Sequence, residues 1–285
     1  QLGENMLDEF DYKEPCCPFD TDFYREKTTA VPEHGKRINT GEMVAQIDRL
    51  NSRGDKQAVG RVLCEYAENA RQLGDIYGEL TVVNEMMGHY RMTSQREKAL
   101  ESVERCFELL KLTGTSGSVS AGTILLNAAT VMSAFGKSAE AIRCYTDACR
   151  CYAAHLPPED MRYAGLYNNM AAAYADTGEV THAKAYYLKA LEILGAHKDI
   201  YSCRLDMAVT YLNLALLCSG TEPESESAGE YAEKATEMLD DCYSEADGYY
   251  AHTIEKCAGG FDALGYFVYA ETLRERLQDW YRERN

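Results

Sequence analysis

The stretch Tyr167-Asn-Asn-Met-Ala-Ala-Ala-Tyr174-Ala-Asp-Thr-Gly178-Glu-Val-Thr-His-Ala183-Lys-Ala-Tyr-Tyr187-Leu-Lys-Ala190-Leu-Glu-Ile-Leu194 reads as two helices broken by one turn at Gly178. Its landmarks recur along the chain. Asn169 follows Asn127, Gly178 follows Gly136, Ala183 follows Ala141, Tyr187 follows Tyr145 and Ala190 follows Ala148, each by 42 residues. The same step back from Ala141 and Ala148 reaches Ala99 and Cys106. A fixed period in this range marks a stacked array of helix pairs.

The pattern Ala-x3-aromatic-x2-Ala behind a turn glycine resembles the tetratricopeptide repeat (TPR). The 42-residue spacing and the run Tyr167–Ala171 resemble the longer variant found in kinesin light chains. The resemblance implies an all-α fold, a right-handed superhelical α-solenoid of stacked antiparallel helix pairs, with first helices lining a concave groove. It also implies a general role in binding protein partners.

Composition narrows the function classes. The net charge of -17 argues against a nucleic-acid surface, because affinity for phosphates rests on Lys and Arg. An anionic membrane surface is disfavoured for the same reason. No stretch of eighteen apolar residues predicts a membrane span, and no signal-peptide pattern appears. The eleven cysteines include no Cys-x2-Cys, and Cys144, Cys149 and Cys151 fall within one predicted helix. Reduced structural thiols in a cytoplasmic protein are therefore expected, with no metal. The chain starts at Gln1 rather than Met, as expected of a processed product or a fragment of a longer protein.

Residues 1–39 differ from the rest. They show no helical period and carry Pro15, Pro18 and Pro32 with five aromatics, Phe10, Tyr12, Phe19, Phe23 and Tyr24. That density is high for a free tail, so an extended arm packed on the solenoid is expected. Residues 40–285 then read as about six helix pairs: 40–74, 75–112, 119–156, 161–197, 200–241 and 248–285. Thr40 is the expected N-cap of the first, and Asp160 can cap the helix after Pro157-Pro158. The fifth pair has an expanded turn over residues 219–227. In the last pair, Ala263, Phe267 and Ala270 stand 35 residues after Ala228, Ala232 and Ala235. Residues 222–247 hold ten acids against one base, Lys234, which reads as a solvated face or as a docking patch for a basic partner.

In such an array Asn127, Asn169 and Asn213 fall in register on the first helices; Asn127 and Asn169 each precede their turn glycine by nine residues. By resemblance to the family, Asn at this position bonds the backbone of an extended peptide. A carboxamide offers both donor and acceptor and reads backbone without demanding a sequence. The alternative is that each Asn caps or bridges neighbouring helices. The expected peptide face spans residues 120–220, with Asn127, Asn168, Asn169 and Asn213 as contacts and Thr130 and Tyr211 as further candidates. No Lys or Arg flanks these positions, so the carboxylate-clamp form is not expected. The acidic balance favours a ligand with Lys or Arg.

Catalytic motifs are absent: there is no Gly-x4-Gly-Lys-Ser/Thr, Gly-x-Ser-x-Gly or His-Glu-x2-His, and the six histidines are dispersed. The reading is a non-catalytic protein- or peptide-binding scaffold without cofactor. The alternative is the peptide-sensing module of a bacterial regulator whose output domain is absent from this chain.

Overall fold

The computed structural model describes residues 36–51, 53–221 and 226–282. The chain divides after Pro157 into two compact units. The first contains α1 (Thr40–Asn51), α2 (Lys56–Leu73), α3 (Ile76–Met92), α4 (Arg96–Thr113), α5 (Val119–Ala134) and α6 (Ser138–Ala153). The second contains α7 (Arg162–Asp176), α8 (Val180–Ala196), α9 (Tyr201–Thr221), α10 (Ser227–Cys242), a single 3-10 turn at Tyr243–Glu245, α11 (Gly248–Ala263) and α12 (Phe267–Arg282). Among the described residues there is no strand. Each unit is a run of three helix pairs, as the period predicts.

One local device builds the pairs. Gly54, Gly136, Gly178 and Gly265 take positive φ between 69° and 84°, and Ser94 does so at 55°. At Gly178 the amide donates to the Ala175 carbonyl, and the next amide, of Glu179, donates to the Tyr174 carbonyl. Gly136 and Lys137 repeat this on Ser133 and Met132, and Gly265 and Tyr266 on Asp262 and Phe261. This Schellman arrangement satisfies the orphan carbonyls of the helix end and turns the chain back sharply. Five residues after each turn residue stands a small, buried side chain: Val59, Ala99, Ala141, Ala183 and Ala270. There the returning helix crosses its partner, and a small side chain lets the backbones approach.

Gly74, between α2 and α3, makes the same turn, but its fifth residue is Glu79. This carboxylate is 3% exposed. Arg71 Nε and Arg105 Nε each donate to it at 2.9 Å, and a second Arg105 nitrogen reaches its other oxygen at 2.9 Å. Burial pushes the Glu79 carboxyl up, but the hydrogen bonds from Arg105 and Arg71 outweigh it and hold the pKa below the usual carboxylate range.

Several boundaries differ from the sequence reading. α1 is capped by Asn39, not Thr40: the Asn39 Oδ1 accepts from the Glu42 amide at 3.0 Å. α9 runs on to Thr221, so Ser219, Gly220 and Thr221 are helical rather than part of an expanded turn; residues 222–225 of that turn lie outside the described residues. Phe267 does not pack like Ala232. The turn at Gly265 falls inside the Ala263–Ala270 pattern, α12 starts at Phe267, and that ring is 66% exposed. Ala270 alone keeps its crossing role. Of the expected arm, residues 1–35 lie outside the described residues. Residues 36–39 are tied to the start of α3: the Ile38 amide donates to Asp75 Oδ2 at 3.1 Å, and the Arg37 guanidinium lies 5.9 Å from the Tyr77 ring centre.

The crossing positions give a direct test. Ala183→Trp places an indole where Ala183 is fully buried between α7 and α8. It is expected to cost about 1–3 kcal/mol by overpacking. Denaturant unfolding checks this, and an unchanged midpoint contradicts the placement of Ala183.

Candidate functional site

The sequence singled out residues on the first helices α5, α7 and α9. In the second unit two of them meet. Asn168 on α7 is fully buried, and its Oδ1 accepts from Thr210 Oγ1 at 3.2 Å and from Asn213 Nδ2 at 3.5 Å, both on α9. In the first unit Asn127 on α5 donates through Nδ2 to Asn84 Oδ1 on α3 at 3.0 Å. Successive first helices are thus joined by carboxamide contacts in both units, as in the bridging alternative. Asn127, Asn84 and Asn213 are half-buried. The Oδ1 of Asn127 and that of Asn213 accept no hydrogen bond from the described residues, nor does the Asn84 amide donate one. Each carboxamide therefore keeps hydrogen-bonding capacity in reserve.

The other candidates are placed differently. Asn169 is 4% exposed and belongs to the interior. Thr130 is buried, gives its hydroxyl to the Leu126 carbonyl at 2.9 Å and lies 3.2 Å from the Tyr145 hydroxyl on α6. Tyr211 stacks on Tyr231 of α10, with ring centres 6.2 Å apart, and Lys234 lies over both rings. Tyr167 repeats this with Tyr186 and Lys189 one repeat earlier. These rings fill the seam between the two helices of a pair. Asn84 and Thr210 were missed by sequence reasoning. Thr210 stands 42 residues after Asn168, so the period itself pointed to it; Asn84 stands 43 before Asn127, one residue off the period, which points to Glu85.

Charge is unevenly distributed between the helices. α5 contains no charged residue, and residues 163–175 of α7 and 207–221 of α9 contain none. The acids lie mostly on second helices, with Glu97, Glu101, Glu104 and Glu108 on α4 and Glu230, Glu233, Glu237, Asp240 and Asp241 on α10. Part of the acidic run 222–247 has internal partners: Asp240 pairs with Arg276 at 2.8 Å and Glu245 with Arg204 at 3.0 Å. Glu222 and Glu224 lie outside the described residues.

One carboxyl sits beside the charge-free run of α9. Asp206 accepts a short hydrogen bond from the Tyr249 hydroxyl of α11. Burial pushes its pKa up to about 7, against the partial offset of the tyrosine bond. Among the described residues no His, Cys, Asp and Glu are grouped to hold a metal ion. The nine described cysteines are free thiols; burial raises the Cys106 thiol to about 12, so it behaves as a small hydrophobe. No described helix is long and apolar enough to cross a membrane.

Among solved structures the chain is similar to BtubC (BKLC) from P. vanneervenii, with a TM-score of 0.57 and 20% identity over 71% of this chain and 78% of that one. The fold is TPR-like. Weaker likenesses run to the kinesin light chain TPR-like repeats of Podosopora anserina (TM-score 0.48, 18% identity, covering 70% of this chain and 93% of that one) and to MamA (TM-score 0.41, 14% identity, 70% and 90%). No family model and no curated protein matches the chain. At these identities the likeness concerns fold alone.

The Asp206 carboxyl makes a pH prediction. Its folded pKa lies above the ordinary Asp value of about 3.9, so the folded state holds the proton more tightly. The site's contribution to stability is complete below about pH 4 and is lost as pH rises to about 7. Asp206→Asn is expected to flatten that part of the stability–pH curve. Parallel curves for variant and parent between those limits would contradict it.

Proposed function

We propose that this chain is a non-catalytic scaffold that binds protein partners, through extended peptide segments laid on the first-helix faces of its units. The observation that carries this reading is the set of half-buried carboxamides on those helices, Asn84 and Asn127 in one unit and Asn213 in the other. They are held in place by a bond to the neighbouring helix yet retain an unused donor or acceptor. Such a group can complete the backbone hydrogen bonds of a peptide without ordering cost, because its rotamer is already fixed. The TPR-like architecture supports the same role. Asn127 and Asn213 are the contacts proposed from the original set. Asn168 and Asn169 support the face from beneath, Thr130 holds α5 to α6, and Tyr211 holds α9 to α10.

Protein partners also suit the charge, since -17 repels nucleic acid and anionic lipid alike. A reduced, cytoplasmic setting is proposed from the free thiols. Catalysis is not proposed. Among the described residues, two hollows of about 310 and 330 Å³ are open surface features, one beside Tyr66 and Leu73 and the other at Phe267 and Tyr269.

The double variant Asn127→Ala with Asn213→Ala tests the reading. Both side chains are half-buried, and Ala is the better helix former, so helicity is expected to hold. In a pull-down beside the parent, partners that use these faces are expected to weaken by about 1–3 kcal/mol per lost contact. Equal retention of every partner by both proteins would show that the carboxamides are not the contact.

A further inference from the structure

We infer that the α7–α9 face selects an uncharged peptide segment, in place of the basic one that the net charge suggests. The inference rests on the peptide-binding reading and adds the chemistry of the ligand. Residues 163–175 and 207–221, which build this face, contain no Asp, Glu, Lys, Arg or His. On α9 the half-buried Asn213, Leu216 and Leu217 and the exposed Gly220 follow at helical spacing and share one side. On α7 Asn168, Ala172 and Ala175 fall at helical spacing; Asn168 and Ala172 are buried and Ala175 is half-buried, and the Asn168–Asn213 bond ties α7 to α9.

A charged side chain laid on these two stretches loses water and finds no opposite charge within them, which costs more than the contact returns. A segment of Ser, Thr, Asn, Val or Leu loses little. Its backbone groups can bond the Asn213 carboxamide, and its apolar groups can cover Leu216 and Leu217. Apart from Asp176 and Asp206, the acids of this unit sit on other helices, chiefly α10 and α12, and their field is screened in salt. Where contacts are made to these uncharged stretches, binding gains no electrostatic affinity and loses none as salt rises.

Three pools of fluorescein-labelled ten-residue peptides make the test: one neutral (Ser, Thr, Asn, Val, Leu), one with Lys and Arg added, one with Asp and Glu added. Retention by the immobilised full chain is measured at low salt and near 1 M salt, where the screening length falls to about 3 Å. The inference expects preferential retention of the neutral pool, equal at both salts. It also expects a loss of about tenfold or more with Leu216→Glu. Gly220→Glu gives a second variant with secure folding, since a Cβ at Gly220 meets nothing within 4 Å; it too is expected to weaken the neutral pool. Preferential retention of either charged pool, or of neutral peptides untouched by both variants, overturns the inference and leaves the peptide-binding reading standing. Retention of no pool by the parent overturns that reading, and the inference with it.

Discussion

Two helix backbones can approach closely only where no large side chain stands between them. In this chain that condition is met five residues after a left-handed turn residue, and the rest of the structure follows from it. The turn sends the second helix back antiparallel, and Ala99, Ala141, Ala183 or Ala270 lets it close on the first. A single pair cannot bury its apolar stripe, so Leu214 of α9 completes the cluster of Ala171, Ala172 and Tyr187 from the next pair. Glu79 shows how strict the constraint is. A carboxylate at the crossing position is tolerated only with two arginines bonded to it.

This logic explains how much could be read from the sequence. The turn glycines and crossing alanines were legible because a 3.6-residue helix and a 42-residue repeat leave few positions free to vary. The second pair was harder, because its turn residue is Ser94, and Asn84 could not be aligned on a glycine. Phe267 misled because its letters match a pattern that Gly265 interrupts; a residue with positive φ ends one helix before any spacing can be counted across it. Asn39 takes the cap in place of Thr40, its Oδ1 accepting from the Glu42 amide, next to Ile38, which is tied to Asp75. Periodicity places a residue on a helix, but a cap depends on where the preceding chain is held.

The candidate site was legible in part, for a related reason. The repeat register put Asn127, Asn169 and Asn213 on first helices, and that is where they stand, although Asn169 is buried. It could not say that Thr130 and Tyr211 turn toward the second helix of their own pair, since one residue along a helix shifts direction by about 100°. Nor does a net charge reveal its distribution. The acids gather on second helices, while α5 and long stretches of α7 and α9 are free of charge. A summed charge therefore suggests one kind of partner and the local surface another.

The central claim is that the first helices, not the acidic second helices, form the surface that partners use. Amide hydrogen exchange, measured by mass spectrometry with and without a captured peptide, tests it most directly. Added protection is predicted over residues 163–175 and 207–221, with α10 and α12 unchanged. Protection confined to α10 and α12 would contradict it.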